Sequence, residues 1–131
     1  MKVVLDASAA IETVFGRKQS SRLGNILAEA DVVLAPDLLV PEVVNTIWKY
    51  HQSEGLPLDE CDRGLKTALG LVDALVPSME VHGEAFLLAR TARRPAYDMF
   101  YLALARREDA VLLTTDSALR KEAERQGVRV A

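Results

Sequence analysis

The chain has 131 residues, half of them hydrophobic and 27% charged, with a formal net charge of −3 at pH 7. That length is enough for one domain (1–131) with a core that needs no staples, and no apolar run is long enough to cross a bilayer. Cys61 is the only cysteine, which excludes an internal disulfide and a thiolate metal cluster and fits a reducing cytoplasm.

KVVL (2–5) is a short apolar run closed by Asp6 and reads as a buried strand. The chain starts MKVVLDAS, with no charged-then-apolar leader. ASAAIETVF (7–15) follows as a short helix. SSRLGNILAEA (20–30) places Leu23, Ile26, Leu27 and Ala30 at helical spacing behind a serine cap. DVVLAP (31–36) is a second strand, ended by Pro36. LLVPEVVNTIWKYHQSEG (38–55) is a long helix stopped at Gly55, with Pro41 tolerable only near its first turn. Trp48 shares an apolar face with Val44, which predicts a core or interface position.

LDECDRGLKTALGLV (58–72) lines Cys61, Leu65, Ala68, Leu69 and Val72 along one helical face, so Cys61 reads as a core thiol. ALV (74–76) is a short strand, and SMEVHGEAFLLART (78–91) one further helix. PAYDMFYLALARR (95–107) is a helix that is apolar or aromatic at every position from Ala96 to Ala105 except Asp98. AVLLTT (110–115) is a buried strand, DSALRKEAERQG (116–127) a helix stopped by Gly127, and VRV (128–130) a last strand. Strands alternating with helices predict a parallel sheet covered on both faces, a three-layer α/β/α fold. Function in such sheets collects beyond the carboxyl ends of the strands.

Asp6 and Asp116 directly follow two of these strands, and each opens a helix. Taken singly, each is explained by helix capping. Glu42 sits in the first turn of its helix on a polar stripe with Asn45, Thr46 and Lys49. Asp98 shares a helical stripe with Tyr101, Leu102 and Ala105, the stripe its helix most needs to bury. Together the four acids can meet at one end of the sheet, where they would repel and raise each other's pKa values. An all-oxygen set of this kind suits a hard cation such as Mg²⁺ or Mn²⁺, whose usual work is hydrolysis or transfer at phosphate. Ser8, Asn45 and Thr114 lie close in sequence to the acids and can orient them. His51 and His82 are isolated and form no ligand pair.

Charge is distributed unevenly. Residues 1–89 carry 7 basic and 13 acidic side chains, while residues 90–131 carry 9 basic and 6 acidic. The small net charge argues against indiscriminate nucleic-acid binding, but the basic excess near the C-terminus is compatible with a polyanion meeting one side. Arg90, Arg93 and Arg94 are candidates to hold a phosphate backbone.

With these residues in place the chain resembles the PIN-domain proteins, specifically the small VapC-type toxins of bacterial and archaeal toxin–antitoxin pairs. The carrying segments are VVLDASAAIE, PEVVNTIWK, YDMFYLALA and LLTTDSAL, in the family's order and across essentially the whole chain. The resemblance implies a Mg²⁺- or Mn²⁺-dependent ribonuclease with a parallel sheet between helices. It maps the acidic quartet onto Asp6, Glu42, Asp98 and Asp116, the helper hydroxyls onto Ser8 and Thr114, and the helical asparagine onto Asn45, with no departure at the four acids. It also implies a homodimer held inactive by a small antitoxin. A non-catalytic PIN-like binding module is the alternative, which loss of an acid would mark. A receiver-type signalling domain would need paired acids at the first strand and a lysine after a late strand, which VVLDAS and VRVA do not offer. A dehalogenase-like phosphatase would need an aspartate at position 8, which is serine.

Overall fold

The computed structural model describes residues 1–131 and builds one sheet of four parallel strands in the order β3-β2-β1-β4. These are β1 (Lys2–Leu5), β2 (Val32–Pro36), β3 (Ala74–Val76) and β4 (Val111–Leu113). Helix pairs make the three crossovers: α1 (Ala7–Val14) with α2 (Ser20–Glu29), α3 (Leu39–Glu54) with α4 (Leu58–Gly70), and α5 (His82–Ala92) with α6 (Ala96–Glu108). Helix α7 (Ser117–Arg125) follows β4. This is the expected three-layer α/β/α architecture.

The central strand shows why the sheet is covered on both sides. Val3, Val4 and Leu5 have no exposed surface. Val3 and Leu5 join Val33 and Leu113 in a cluster with Ala9, Ala10 and Leu23 of the first crossover. Val4 joins Leu34 and Leu112 in a larger cluster on the other face, built mainly on α6, with smaller shares from α3, α4, α5 and α7. Residue pairing Val4↔Leu34 and Val4↔Leu112 sets three such side chains in a row. Each aliphatic side chain buried this fully contributes about 1.5–3 kcal/mol. Cys61 is buried in the larger cluster, as its helical face predicts. Helix α6 lies against β1, β2 and β4, and Tyr101 to Ala105 are buried without a break, the pattern of a helix enclosed on nearly all sides.

Four expectations are modified. The segment 78–91 is not one helix: Ser78–Glu80 form a 3₁₀ turn and α5 starts at His82, because Val81 leaves helical geometry (φ −125°, ψ 0°) to bury its side chain. The strand at 110–115 is only Val111–Leu113, since Thr114 turns its hydroxyl to Asp6 and accepts from the Asp116 N–H. The strand at 128–130 is a single bridge, Val130 beside Leu112, secured by Leu112 N to Arg129 O and Ala131 N to Leu112 O. Trp48 and Val44 are not in the core; they are 56% and 45% exposed on the outer face of α3.

Strand order decides where a site can form. The chain steps outward from β1 to β2 to β3, then returns across the sheet to place β4 on the opposite side of β1. Connections therefore diverge at the carboxyl ends of β1 and β4, leaving a crevice between them. The ladder continues one residue further, with Asp6 N donating to Leu113 O at 3.2 Å.

Candidate active site

Asp6 stands at that crevice as the N-cap of α1, almost fully buried. Its Oδ1 accepts from Ala9 N at 2.9 Å and from Ser8 Oγ at 2.7 Å, and its Oδ2 from the Thr114 hydroxyl. Burial pushes the Asp6 carboxyl up to about 6, and these three donors pull against that rise. Ser8 Oγ in turn accepts from Thr115 N at 3.1 Å, which locks the turn after β4 against the turn after β1. Both hydroxyls singled out beside the strands thus work on one carboxylate.

Asp116 caps α7, and its Oδ1 accepts from Ala118 N at 2.9 Å and Leu119 N at 3.1 Å. The capping reading is therefore correct for both strand-end acids, and the capping geometry is what aims them into the crevice.

Glu42 lies in the first turn of α3, half-buried, and its Oε1 accepts from the Tyr101 hydroxyl at 2.5 Å. Burial raises its pKa most, the Tyr101 bond lowers it, and the Asp98 charge raises it again. Tyr101 is 2% exposed, and its hydroxyl is held protonated by burial and by this bond. Tyr101 stands three residues after Asp98 on a stripe that reads as buried, but helical periodicity does not say where its hydroxyl goes.

Asp98 occupies the first turn of α6, where the buried stripe of that helix opens toward the crevice. Its side chain is 31% exposed, and Arg94 Nη2 approaches it at 3.8 Å. Burial raises the Asp98 pKa most, the Asp116 charge raises it further, and Arg94 lowers it. The field of Asp98 reaches Asp6 and Glu42 as well, so this residue couples the other three acids. Desolvation, rather than the mutual repulsion expected from sequence, is the larger cause of every raised acid in the group.

The remaining candidates separate. Asn45 is exposed, one turn beyond Glu42, and lines a cleft of about 460 Å³ with Leu38, Pro41 and Tyr97. Arg90 is exposed, its guanidinium 5.6 Å above the Phe86 ring. Arg93 is the exposed, left-handed C-cap of α5 (φ 56°). Of the three arginines only Arg94 faces the acids, and its Nε is buried without a hydrogen-bond partner. His51 and His82 bond to the carbonyls of Leu56 and Met79, as structural histidines do.

As a donor set the crevice fits a hard divalent cation, because it offers carboxylates and hydroxyls, with one arginine as the nearby counter-charge. No three of the carboxylates converge closely enough to form a ready cage. The arrangement is an acidic basin whose members are individually tethered.

Comparison with known proteins agrees with this fold. The PIN domain family model matches residues 3–124, a span that contains all four acids. Ribonuclease VapC3 of Pyrobaculum aerophilum is 34% identical over 121 residues, covering 91% of this chain and 92% of that protein. Among solved structures, VapBC2 from Rickettsia felis, bound to a DNA fragment from its promoter, superposes with a TM-score of 0.69 at 14% identity, covering 100% of this chain and 98% of that one. VapC20 of Mycobacterium tuberculosis, described as a sarcin–ricin loop cleaving toxin, superposes with a TM-score of 0.64 at 14% identity, covering 91% and 93%.

Proposed function

Because the chain belongs to the PIN domain family, we propose that it is a divalent-metal-dependent ribonuclease and the toxin component of a toxin–antitoxin pair. The observation that carries this reading is that Asp6, Glu42, Asp98 and Asp116 open four separate elements beside the β1/β4 crevice, near enough that the Asp98 charge raises the pKa of Asp6 and Glu42 and the Asp116 charge raises that of Asp98. Burial raises the pKa of Asp6, Glu42 and Asp98, a cost that binding a cation would offset.

In this reading residues 1–131 form one nuclease domain. Asp6 and Asp98 would be the principal residues to hold Mg²⁺ or Mn²⁺, assisted by Glu42 and Asp116. Such an ion would supply charge stabilisation at a phosphoryl oxygen and a more acidic water near neutral pH. The chain's own contribution is orientation. Ser8, Thr114 and the Ala9 N–H fix both oxygens of Asp6, and Tyr101 fixes one oxygen of Glu42. No histidine or lysine stands in the crevice as a general base. Asn45, beside Glu42, would position substrate or water, and the exposed Arg90 and Arg93 would meet the RNA backbone.

A small cognate antitoxin that covers the crevice, a homodimer and a cytoplasmic location complete the proposal. Two solved structures with this fold, VapBC2 and FitAcB from Neisseria gonorrhoeae, are of complexes by their names, which supports a protein partner. No helix is long and apolar enough to cross a membrane.

The test is incubation of the purified protein with total RNA and Mn²⁺, with chelator and with Asp98→Asn as controls. Discrete cleavage that requires both the metal and Asp98 is expected. Tight Mn²⁺ binding with no cleavage of any RNA would instead favour the non-catalytic binding module.

A further inference from the structure

A second cleft shares a wall with the acidic crevice. It encloses about 350 Å³ and is lined by Ser8 and Thr115 on the crevice side, and by Glu12, Arg17, Thr46 and Tyr50 beyond. Ser8 belongs to both sites, since its Oγ donates to Asp6 and accepts from Thr115 N.

The cleft has one cation, and that cation is preorganised. Arg17 lies with its guanidinium carbon 4.3 Å from the Tyr50 ring centroid. The Tyr50 ring is itself held edge-to-face by Phe15, centroids 5.9 Å apart at 80°. A guanidinium held against an aromatic face loses less freedom on binding an anion than an unsupported one, and its N–H groups can still reach a phosphate. Its present partner is a weak one: Glu54 at 3.4 Å, with the two side chains 43% and 57% exposed. Thr46 donates to Glu42 O at 2.9 Å, which leaves its oxygen able to accept. Glu12 adds a second acceptor on the rim, suited to a ribose hydroxyl or a base amino group.

The one arginine of the 90–94 cluster that faces the acids is already engaged, since Arg94 is drawn toward Asp98. A polyanion approaching an acidic basin needs a positive anchor beside it, and Arg17 is the cation in the adjoining cleft.

We propose that this cleft is a substrate subsite, taking the nucleotide next to the scissile phosphate, with Arg17 paired to that nucleotide's phosphate. The proposal rests on the ribonuclease reading and adds to it a binding residue from the turn after α1.

The experiment measures binding of a short, fluorescently labelled, random-sequence single-stranded RNA to the wild type, Arg17→Gln and Arg17→Lys. Anisotropy is followed over a salt series with Ca²⁺ replacing Mg²⁺, so that binding is read without turnover. Arg17→Gln keeps the stem over Tyr50 and removes the charge. It should weaken binding on the order of ten-fold and reduce the salt slope by about one, while Arg17→Lys keeps the slope. If the wild type binds RNA and Arg17→Gln binds it equally with the same slope, the subsite is wrong and the ribonuclease reading stands. If the wild type binds no RNA at all, both fall together.

Discussion

The Tyr101 hydroxyl donates a 2.5 Å hydrogen bond to Oε1 of Glu42, joining α6 to α3 across 59 residues of sequence. A phenol buried this deeply needs a partner, and a carboxylate in the first turn of a helix needs a fixed direction if it is to serve a site. One bond meets both needs. Tyr101→Phe keeps the ring in the core and deletes the bond. Because Glu42 is only half-buried, water recovers part of the loss, and the expected cost is about 1–2 kcal/mol in urea denaturation. The Glu42 pKa should rise further, because the bond was lowering it, and Mn²⁺ affinity should fall several-fold. Unchanged affinity at the same cost in stability would make Tyr101 a core residue only.

Acid titration of the metal-free protein should run against the usual direction for a carboxylate. Asp6 is pushed up to about 6 in the folded chain, against 3.8 for the free side chain, with burial as the main cause. Protons then bind more tightly to the folded state, so stability rises as pH falls through about 6 and levels off near 4. The gap corresponds to about 3 kcal/mol at most. Thermal melts from neutral to pH 5 check the sign, and Asp6→Asn should flatten the profile. Metal affinity should move oppositely and collapse below pH 6, because the ligand must be ionised. A metal-free melting temperature that falls steadily from pH 7 to 5 would contradict the assigned burial of an ionised Asp6.

How much of this was legible in the sequence follows from the range of each interaction. Strands β1, β2 and β4 announce themselves because strands buried on both faces are continuous apolar runs, as in Val3, Val4 and Leu5. Asp6 was legible because it directly follows β1, and Asp116 because it closes the short polar turn after the apolar run of β4, where the chain must leave the sheet. The fate of the three arginines was not, since it depends on which way a helix end faces. Arg93 ends α5 in a left-handed conformation usually given to glycine, and Arg94 is turned toward Asp98 one helical turn on. Tyr101 with Glu42, and Arg17 with Tyr50, are contacts between distant segments, which periodicity along one segment does not reveal.

Asp98→Asn tests the coupling of the group most directly, since the charge of Asp98 raises the pKa of Asp6 and Glu42, and that of Asp98 is itself raised by the charge of Asp116. The amide has the same shape, so the fit of the side chain is kept. Repulsion and desolvation both ease, and the metal-free protein should be at least as stable as the wild type. Stabilisation by Mn²⁺ should shrink: a ten-fold loss of affinity removes about 1.4 kcal/mol at saturating metal. Differential scanning fluorimetry with and without Mn²⁺ reads both effects. Unchanged Mn²⁺ stabilisation would return Asp98 to the role of a helix-start residue.

Arg94 is the cation already facing the acids, and its guanidinium can act either as their counter-ion or as a phosphate ligand. The geometry favours the first. Nη2 is 3.8 Å from Asp98 Oδ2, and the buried Nε has no acceptor, so the side chain is held by charge more than by hydrogen bonds. Arg94→Gln removes a positive charge that competes with a cation. Mn²⁺ affinity should therefore increase about three- to ten-fold at low salt, and less at high salt. Metal-free stability should change by no more than about 1 kcal/mol, since a weak ion pair and an unsatisfied buried donor are lost together. Isothermal titration with Mn²⁺ at two ionic strengths measures the first effect. Unchanged Mn²⁺ affinity, with RNA binding weakened and its salt slope reduced by about one, would assign Arg94 to the phosphate backbone instead.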